Sequence, residues 1–283
     1  MVTVESKRGP FRVSDVYYPE ACEIHGLGRS LAVNQIIYVR QAQQFFETEG
    51  PVVHHQVFRT SLVDLTRGRD ELFEDLNSTT RNLVRRIERV RDQVEVRRNN
   101  GVDSDFLAIY NAFVGIKRHS ERLSPRRLQE LKPFADIFVS YYEGRPLCAH
   151  AYVRDEKLKR VGLILAASTR LSAADTPVFV GAVNRWLHWY EMQLYKSEGI
   201  ETYDLGGIGT STPQKEAIAR FKLSLGGQQV VEHNYMIANP VGRLAIRLFT
   251  PSAGSVLPDK TPPHHHCALL KRAREVTTFK IWI

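Results

Sequence analysis

The 283-residue sequence predicts an α/β (α+β) protein built on a mixed, mostly antiparallel sheet flanked by helices. Three observations carry this reading. From Asp136 to Ala167 short β-rich segments follow one another across turns too tight to hold a helix. Capped amphipathic helices stand before and after that run. From Thr202 to Ile237 the chain reads strand, glycine turn, helix, double glycine, strand.

In chain order, His54 to Leu65 is predicted as a strand and Arg69 to Val90 as one long helix, because Leu72, Leu76, Leu83, Ile87 and Val90 recur at helical spacing. Gln93 to Val96 is a short strand. Ser104 caps a helix over Asp105 to Lys117, and Ser124-Pro125 starts another over Arg126 to Leu131. Strands at Asp136–Tyr142, Pro146–Val153 and Lys159–Ala167 then turn at Glu143-Gly144 and Asp155-Glu156. Thr176-Pro177 opens a helix with the apolar stripe Val180, Val183, Leu187, Tyr190 and Leu194, and Gly199 ends it. Thr202 to Leu205 is a strand, and Gly206-Gly207-Ile208-Gly209 lets the backbone turn tightly. Thr212 as N-cap and Pro213 at the first position start a helix with Ile218, Phe221 and Leu225 on one face, beside Lys222. Gly226-Gly227 stops that helix and Gln228 to Ile237 forms the next strand. After Asn239 come a short amphipathic piece (Val241 to Phe249), a Pro/Gly/Ser stretch and a basic tail whose end, Thr278 to Ile283, could pair as a last strand.

The 43% hydrophobic and 25% charged fractions are those of an ordinary globular chain able to bury a sizeable core. No apolar run is long enough to cross a membrane and Met1 to Pro10 has no signal core, so the expected location is cytoplasmic. Cys22, Cys148 and Cys267 are sparse, odd in number and widely separated, which favours reduced thiols. The net charge of +8 is clustered. Arg81, Arg85, Arg86, Arg89, Arg91, Arg97 and Arg98 lie close together, and Lys117 to Lys132 holds six more cations. Such clusters are the footprint of a polyanion partner, or else a solvated helix face.

The stretch from Tyr203 to Tyr235 resembles, in the order and spacing of its parts, the closing segment of the Fem-type (FemABX-like) aminoacyltransferases of the GNAT acyltransferase superfamily. The resemblance runs from about Asp103 to Ala238, is weaker over Val57 to Val96, and is absent before Val57. It implies a complete C-terminal GNAT-like acyltransferase domain at residues 99–240, an abbreviated N-terminal GNAT-like half at 1–98, and a C-terminal extension at 241–283. The family usually has two halves of comparable size and uses the first to help build the acceptor cleft. Here that half is short and no coiled-coil arm is visible.

The activity implied is transfer of an amino acid from aminoacyl-tRNA, as co-substrate, to an amine acceptor, either a peptide of a specialised metabolite or a cell-wall precursor. No cofactor or metal is expected. Amide formation from an activated ester needs aligned reactants and a positive group where the oxyanion develops. The resemblance puts Lys222 in that role as a partly exposed cation, with Phe221 shaping the dry site around it. Tyr203, Asp204, Gly206 and Gly207 are candidate substrate-binding residues at the glycine turn, with Asp204 able either to orient an amine or to accept backbone N–H bonds. Arg81, Arg85 and Arg86 follow a Ser/Thr-rich approach similar to the Fem-type pattern and suit phosphates of tRNA or of a nucleotide-linked acceptor. Each also has a plainer reading as core, turn or surface residue.

The main alternative is an N-acyltransferase using acyl-CoA or an acyl carrier. CoA-dependent GNAT enzymes carry Arg-x-x-Gly-x-Gly/Ala at the turn into the central helix. Arg170-Leu171-Ser172-Ala173-Ala174-Asp175 lacks both glycines and places a carboxylate where a pyrophosphate would sit, which argues against acyl-CoA. A third reading is a non-catalytic tRNA- or polysaccharide-binding module. His264-His265-His266-Cys267 lacks zinc spacing, since consecutive residues cannot all face one tetrahedral ion. His54, His55, His119, His150, His188 and His233 accompany no Ser or Cys nucleophile motif, so a catalytic triad is not expected. Trp186, Trp189, Tyr190 and Tyr195 read as core and cleft wall.

Overall fold

The structure is a computed structural model that describes residues 1–8, 10–20, 23–24, 26–27, 31–46, 52–117, 122–171, 177–209, 211–239 and 241–243. The strands are β1 (Val2–Arg8), β2 (Phe11–Tyr17), β3 (Gln35–Ala42), β4 (Val52–Asp64), β5 (Val94–Arg98), β6 (Ala135–Tyr142), β7 (Arg145–Asp155), β8 (Arg160–Ser168), β9 (Thr202–Gly207) and β10 (Gln228–Ala238). The helices are α1 (Arg69–Asp75), α2 (Ser78–Glu88), α3 (Asp103–Lys117), α4 (Pro125–Leu131), α5 (Pro177–Ser197) and α6 (Pro213–Leu223). All these strands belong to one sheet in the order β1-β2-β3-β10-β4-β9-β8-β7-β6-β5. Among the described residues only the β2/β3 and β8/β9 pairs are parallel, so the mixed, mostly antiparallel sheet expected from the sequence is present.

Side chains alternate across β6 and β7 and so build two cores. Phe138 and Tyr152 join the core under α1, α2 and α5. Ile137, Val139, Ala149 and Ala151 join the core under α3 and α4. The 21-residue α5 buries more than the expected stripe, because it lies between the sheet and α2. Trp186, Trp189 and Tyr195 are therefore core residues, as the sequence suggested. The β6/β7 hairpin turns through Glu143 (φ 49°) and Gly144 (φ 76°), the paired positive values of a tight two-residue connection.

Several boundaries differ from the sequence reading. The single helix expected over Arg69–Val90 is two, because Leu76 and Asn77 take extended backbone and the Asn77 side chain caps Thr80 N at 2.8 Å. A strong internal N-cap overrode a continuous apolar period. The helix assigned to a Ser104 cap begins at Asp103. Gly206 and Gly207 are the last residues of β9 and not a turn beyond it. The parts before Val57, where no resemblance was visible, supply β1, β2 and β3, and β10 lies between β3 and β4. Ser172–Asp175 of the turn weighed for CoA, most of the Val241–Phe249 segment, the His264–Cys267 run and the Thr278–Ile283 strand lie outside the described residues.

Candidate active site

The parallel neighbours β8 and β9 pair only at Arg160–Thr202, Val161–Tyr203 and Gly162–Asp204, although β8 continues to Ser168. Beyond Gly162 the two strands part, and a cleft opens on the α3/α4 face of the sheet. Leu163, Leu165, Gly206 and Gly207 line it from the split. Tyr17, Arg40, Gln41, Phe58 and Asn234 line it from the N-terminal strands and β10, and Leu123, Arg127 and Leu131 from α4 and its approach. The last three recur every four residues, so α4 presents one stripe to the cleft.

Two arginines stand in this mixed wall. Arg40 donates Nε and Nη2 to Asp15 Oδ1 at 3.1 and 2.9 Å, and Arg127 donates Nη2 to Asp15 Oδ2 at 3.3 Å. One carboxylate thus aligns two guanidinium groups, Arg127 also pairing with Glu130 at 3.4 Å, and the remaining N–H groups suit an anionic group of a ligand.

Below the split lies a buried charge cluster. Asp204 is fully buried and accepts from Thr60 Oγ1 (2.5 Å), Gln41 Nε2 (2.5 Å), Arg160 Nη2 (2.6 Å) and Gly206 N (2.8 Å). Arg160 also bridges to Glu232 at 2.6 Å, and burial raises the Glu232 carboxyl above its ordinary range. Gln41 holds a positive φ of 58° to reach both carboxylates, a strained backbone at a cleft-lining residue. Gly206 has a φ of 78°, and a Cβ there would meet Leu163 O at 2.9 Å and Lys222 Nζ at 3.3 Å. Only glycine allows β8, β9 and Lys222 to approach this closely.

Lys222 approaches from the other side of the sheet, on α6, whose N-terminus is capped by Thr212 as the sequence predicts. It is 3% exposed, and Nζ donates to Gly207 O at 2.8 Å. Burial lowers its ammonium to about 8, with Asp204 opposing that shift. The expected partly exposed cation is therefore corrected to a buried one: the apolar face of α6 includes Lys222, because Gly206 leaves room for its side chain beside the split.

The other predicted residues divide sharply. Gly206 and Gly207 line the cleft, and Asp204 fixes their backbone in the turn-holding role. Phe221 packs below, its ring 5.7 Å from that of His188, with Arg185 stacked 4.9 Å over it. Tyr203 is fully buried toward α5, its hydroxyl 2.8 Å from His188 Nδ1, and does not reach the cleft. Arg81, Arg85 and Arg86 sit on α2, on the α5 side of the sheet and away from the cleft. Arg81 Nη1 donates to Glu74 O (2.5 Å) and Leu76 O (2.6 Å), the carbonyls at the end of α1, and Arg85 stacks 4.9 Å over Phe73. The basic cluster that borders the cleft is the other one, through Arg127. Asp15, Tyr17, Arg40 and Gln41 went unread in the sequence. Their signal is faint: charged and polar residues interleaved with apolar ones in two short strands, FRVSDVY and QIIYVRQA.

Among the described residues no helix is long and apolar enough to cross a membrane. No family model matches the sequence, and no curated protein is similar to it. Solved structures are similar in fold. FemX superposes with a TM-score of 0.58 over 87% of this chain and 86% of its own, at 11% identity. The C-terminal domain (DUF2156) assigned to a lysylphosphatidylglycerol synthetase from Agrobacterium fabrum gives 0.57 over 87% and 83%, at 13% identity. L-PGS from Bacillus licheniformis gives 0.51 over 87% and 83%, also at 13%. The fold of this chain is thus like that of FemX and of these two synthetase structures.

Proposed function

We propose that this protein is an aminoacyltransferase that moves an amino acid from aminoacyl-tRNA to the amine of a small-molecule or peptide acceptor. The observation that carries the reading is the buried ammonium of Lys222 held at Gly207, where β8 and β9 part beneath a cleft edged by Arg40 and Arg127. In the reaction the acceptor amine attacks the ester carbonyl, a tetrahedral oxyanion forms, and the tRNA ribose oxygen leaves. The amine loses one proton and the departing oxygen gains one. A desolvated cation beside the split favours the oxyanion, and the cleft walls hold amine and ester in line. Arg40 and Arg127 suit a phosphate or carboxylate of either substrate. Two of the similar folds bear the name lysylphosphatidylglycerol synthetase, or its abbreviation, which accords with an aminoacyl group being transferred.

The test uses total tRNA charged with radiolabelled amino acids and a small-molecule and peptide fraction as acceptor. Label should move into an RNase-resistant product without added CoA, and RNase treatment of the donor beforehand should abolish it. Product formed from acyl-CoA after nuclease treatment would establish the CoA-dependent alternative instead.

A further inference from the structure

The α5 side of the sheet holds a second polar centre that the proposed transfer does not use. His150 and Tyr152 stand two apart on β7 and share a face, while His188 and Glu191 stand three apart on α5 and share a face. All four are at most 1% exposed. Glu191 Oε2 lies 3.0 Å from His150 Nδ1, 2.6 Å from Tyr152 Oη and 3.6 Å from His188 Nδ1. Tyr152 Oη lies 3.4 Å from His150 Nδ1 and 3.3 Å from His188 Nδ1. Ligand atoms bound about 2.0–2.1 Å from a tetrahedral zinc ion sit roughly 3.3 Å from one another. These five separations straddle that edge length, and the sixth, between the two imidazoles, is within 4.8 Å.

His150 Nε2 faces the Asn184 side-chain amide at 2.9 Å. With Nε2 donating to the amide oxygen, the neutral ring turns its Nδ1 lone pair toward Glu191, the arrangement that supports a metal-bound imidazole. Charge agrees as well. Among the described residues the ion pairs of Glu191 are with His150 and His188 alone, so no lysine or arginine balances this buried carboxylate.

We propose that His150, Tyr152, His188 and Glu191 form a closed structural zinc site that clamps α5 to β7. On binding Zn²⁺, Tyr152 releases its proton to solvent. The phenolate, the Glu191 carboxylate and the two neutral imidazoles then make a centre of zero net charge. Tyr203 Oη lies 2.5 Å from Tyr152 Oη, 2.8 Å from His188 Nδ1 and 3.0 Å from Glu191 Oε2, so it packs against three of the four ligand atoms and can donate to the phenolate. An all-N/O set of four at tetrahedral spacing suits zinc, and cobalt(II) as its spectroscopic substitute.

The full-length protein would be stripped with chelator, titrated with zinc chloride, and followed by elemental analysis after gel filtration and by thermal unfolding. One zinc per chain should remain bound, the midpoint should rise on zinc addition and fall again with chelator, and cobalt(II) should give the absorption of a tetrahedral site. Glu191→Gln keeps the shape and hydrogen bonding and should bind zinc at least 100-fold more weakly. A folded wild-type chain that retains no stoichiometric zinc and shows no midpoint shift overturns the site. So does a folded Glu191→Gln variant that holds zinc as tightly as the wild type. Neither outcome depends on transfer activity, so the site and the proposed reaction stand or fall separately.

Discussion

Lys222 has Gly207 O as its hydrogen-bond acceptor and Asp204 as its nearby carboxylate, and Asp204 is already engaged by Arg160, Gln41, Thr60 and the Gly206 N–H. A buried cation so thinly compensated is poor for stability and useful for chemistry. Its group drops from 10.5 in the unfolded chain to about 8 in the fold. The unfolded chain therefore binds the extra proton between those values, so stability rises with pH across that window. Below it the protonated lysine costs about 3 kcal/mol. Lys222→Met should accordingly leave the unfolding midpoint at pH 7 unchanged or raised, while single-turnover transfer falls by roughly 100-fold or more. A midpoint that drops with the activity would mean the lysine is structural. The titratable groups that act on Nζ are Asp204 on the sheet and, on α5, His188, whose imidazole burial holds well below its ordinary value. If the ammonium stabilises the oxyanion, transfer at saturating substrate should decline as pH rises through about 8, where the proton is lost. A rate that climbs through that region would instead make the neutral amine a general base.

At the scale of elements, α6 and its neighbours were legible because each signal is local: Thr212 and Pro213 start the helix, Gly226 stops it with a φ of 84°, and β10 follows. The α1/α2 break was not legible from the apolar period, since Leu72, Leu76, Val84 and Ile87 are buried on both sides of the break. Only the capping of Thr80 by Asn77 reveals it. That break also explains Arg81, which reaches back to the exposed carbonyls at the end of α1. Arg81→Ala with Arg85→Ala should therefore lower stability by about 1–2 kcal/mol, through lost charge-assisted hydrogen bonds and a lost cation–π contact. Substrate KM and its salt dependence should stay unchanged in steady-state assays. A smaller salt slope with intact stability would restore the α2 arginines to substrate binding.

Across the whole molecule, the sheet joins parts of the chain that the sequence presents as separate. β10 hydrogen-bonds to β3 on one side and β4 on the other, and β4 also pairs with β9. The cleft depends on this closure: Asp15 and Arg40 come from β2 and β3, Gly206 and Gly207 from β9, and Arg127 from α4. Long-range pairing of this kind leaves no periodicity or cap in the sequence, so the N-terminal wall of the site was invisible while the glycine–lysine floor was not. Residues 1–98 and 99–240 should not unfold independently, and calorimetry should give one transition with equal calorimetric and van't Hoff enthalpies. Two resolved transitions would mark separate folding units.

The most direct test of the account is single-turnover transfer of radiolabel from charged tRNA into RNase-resistant product, measured side by side for the wild-type chain and Lys222→Met at equal folded concentration. The wild type should form product without CoA, and the variant should do so at a rate at least roughly 100-fold lower. Equal rates in the two proteins, or product formed only when acyl-CoA replaces the tRNA, would contradict it.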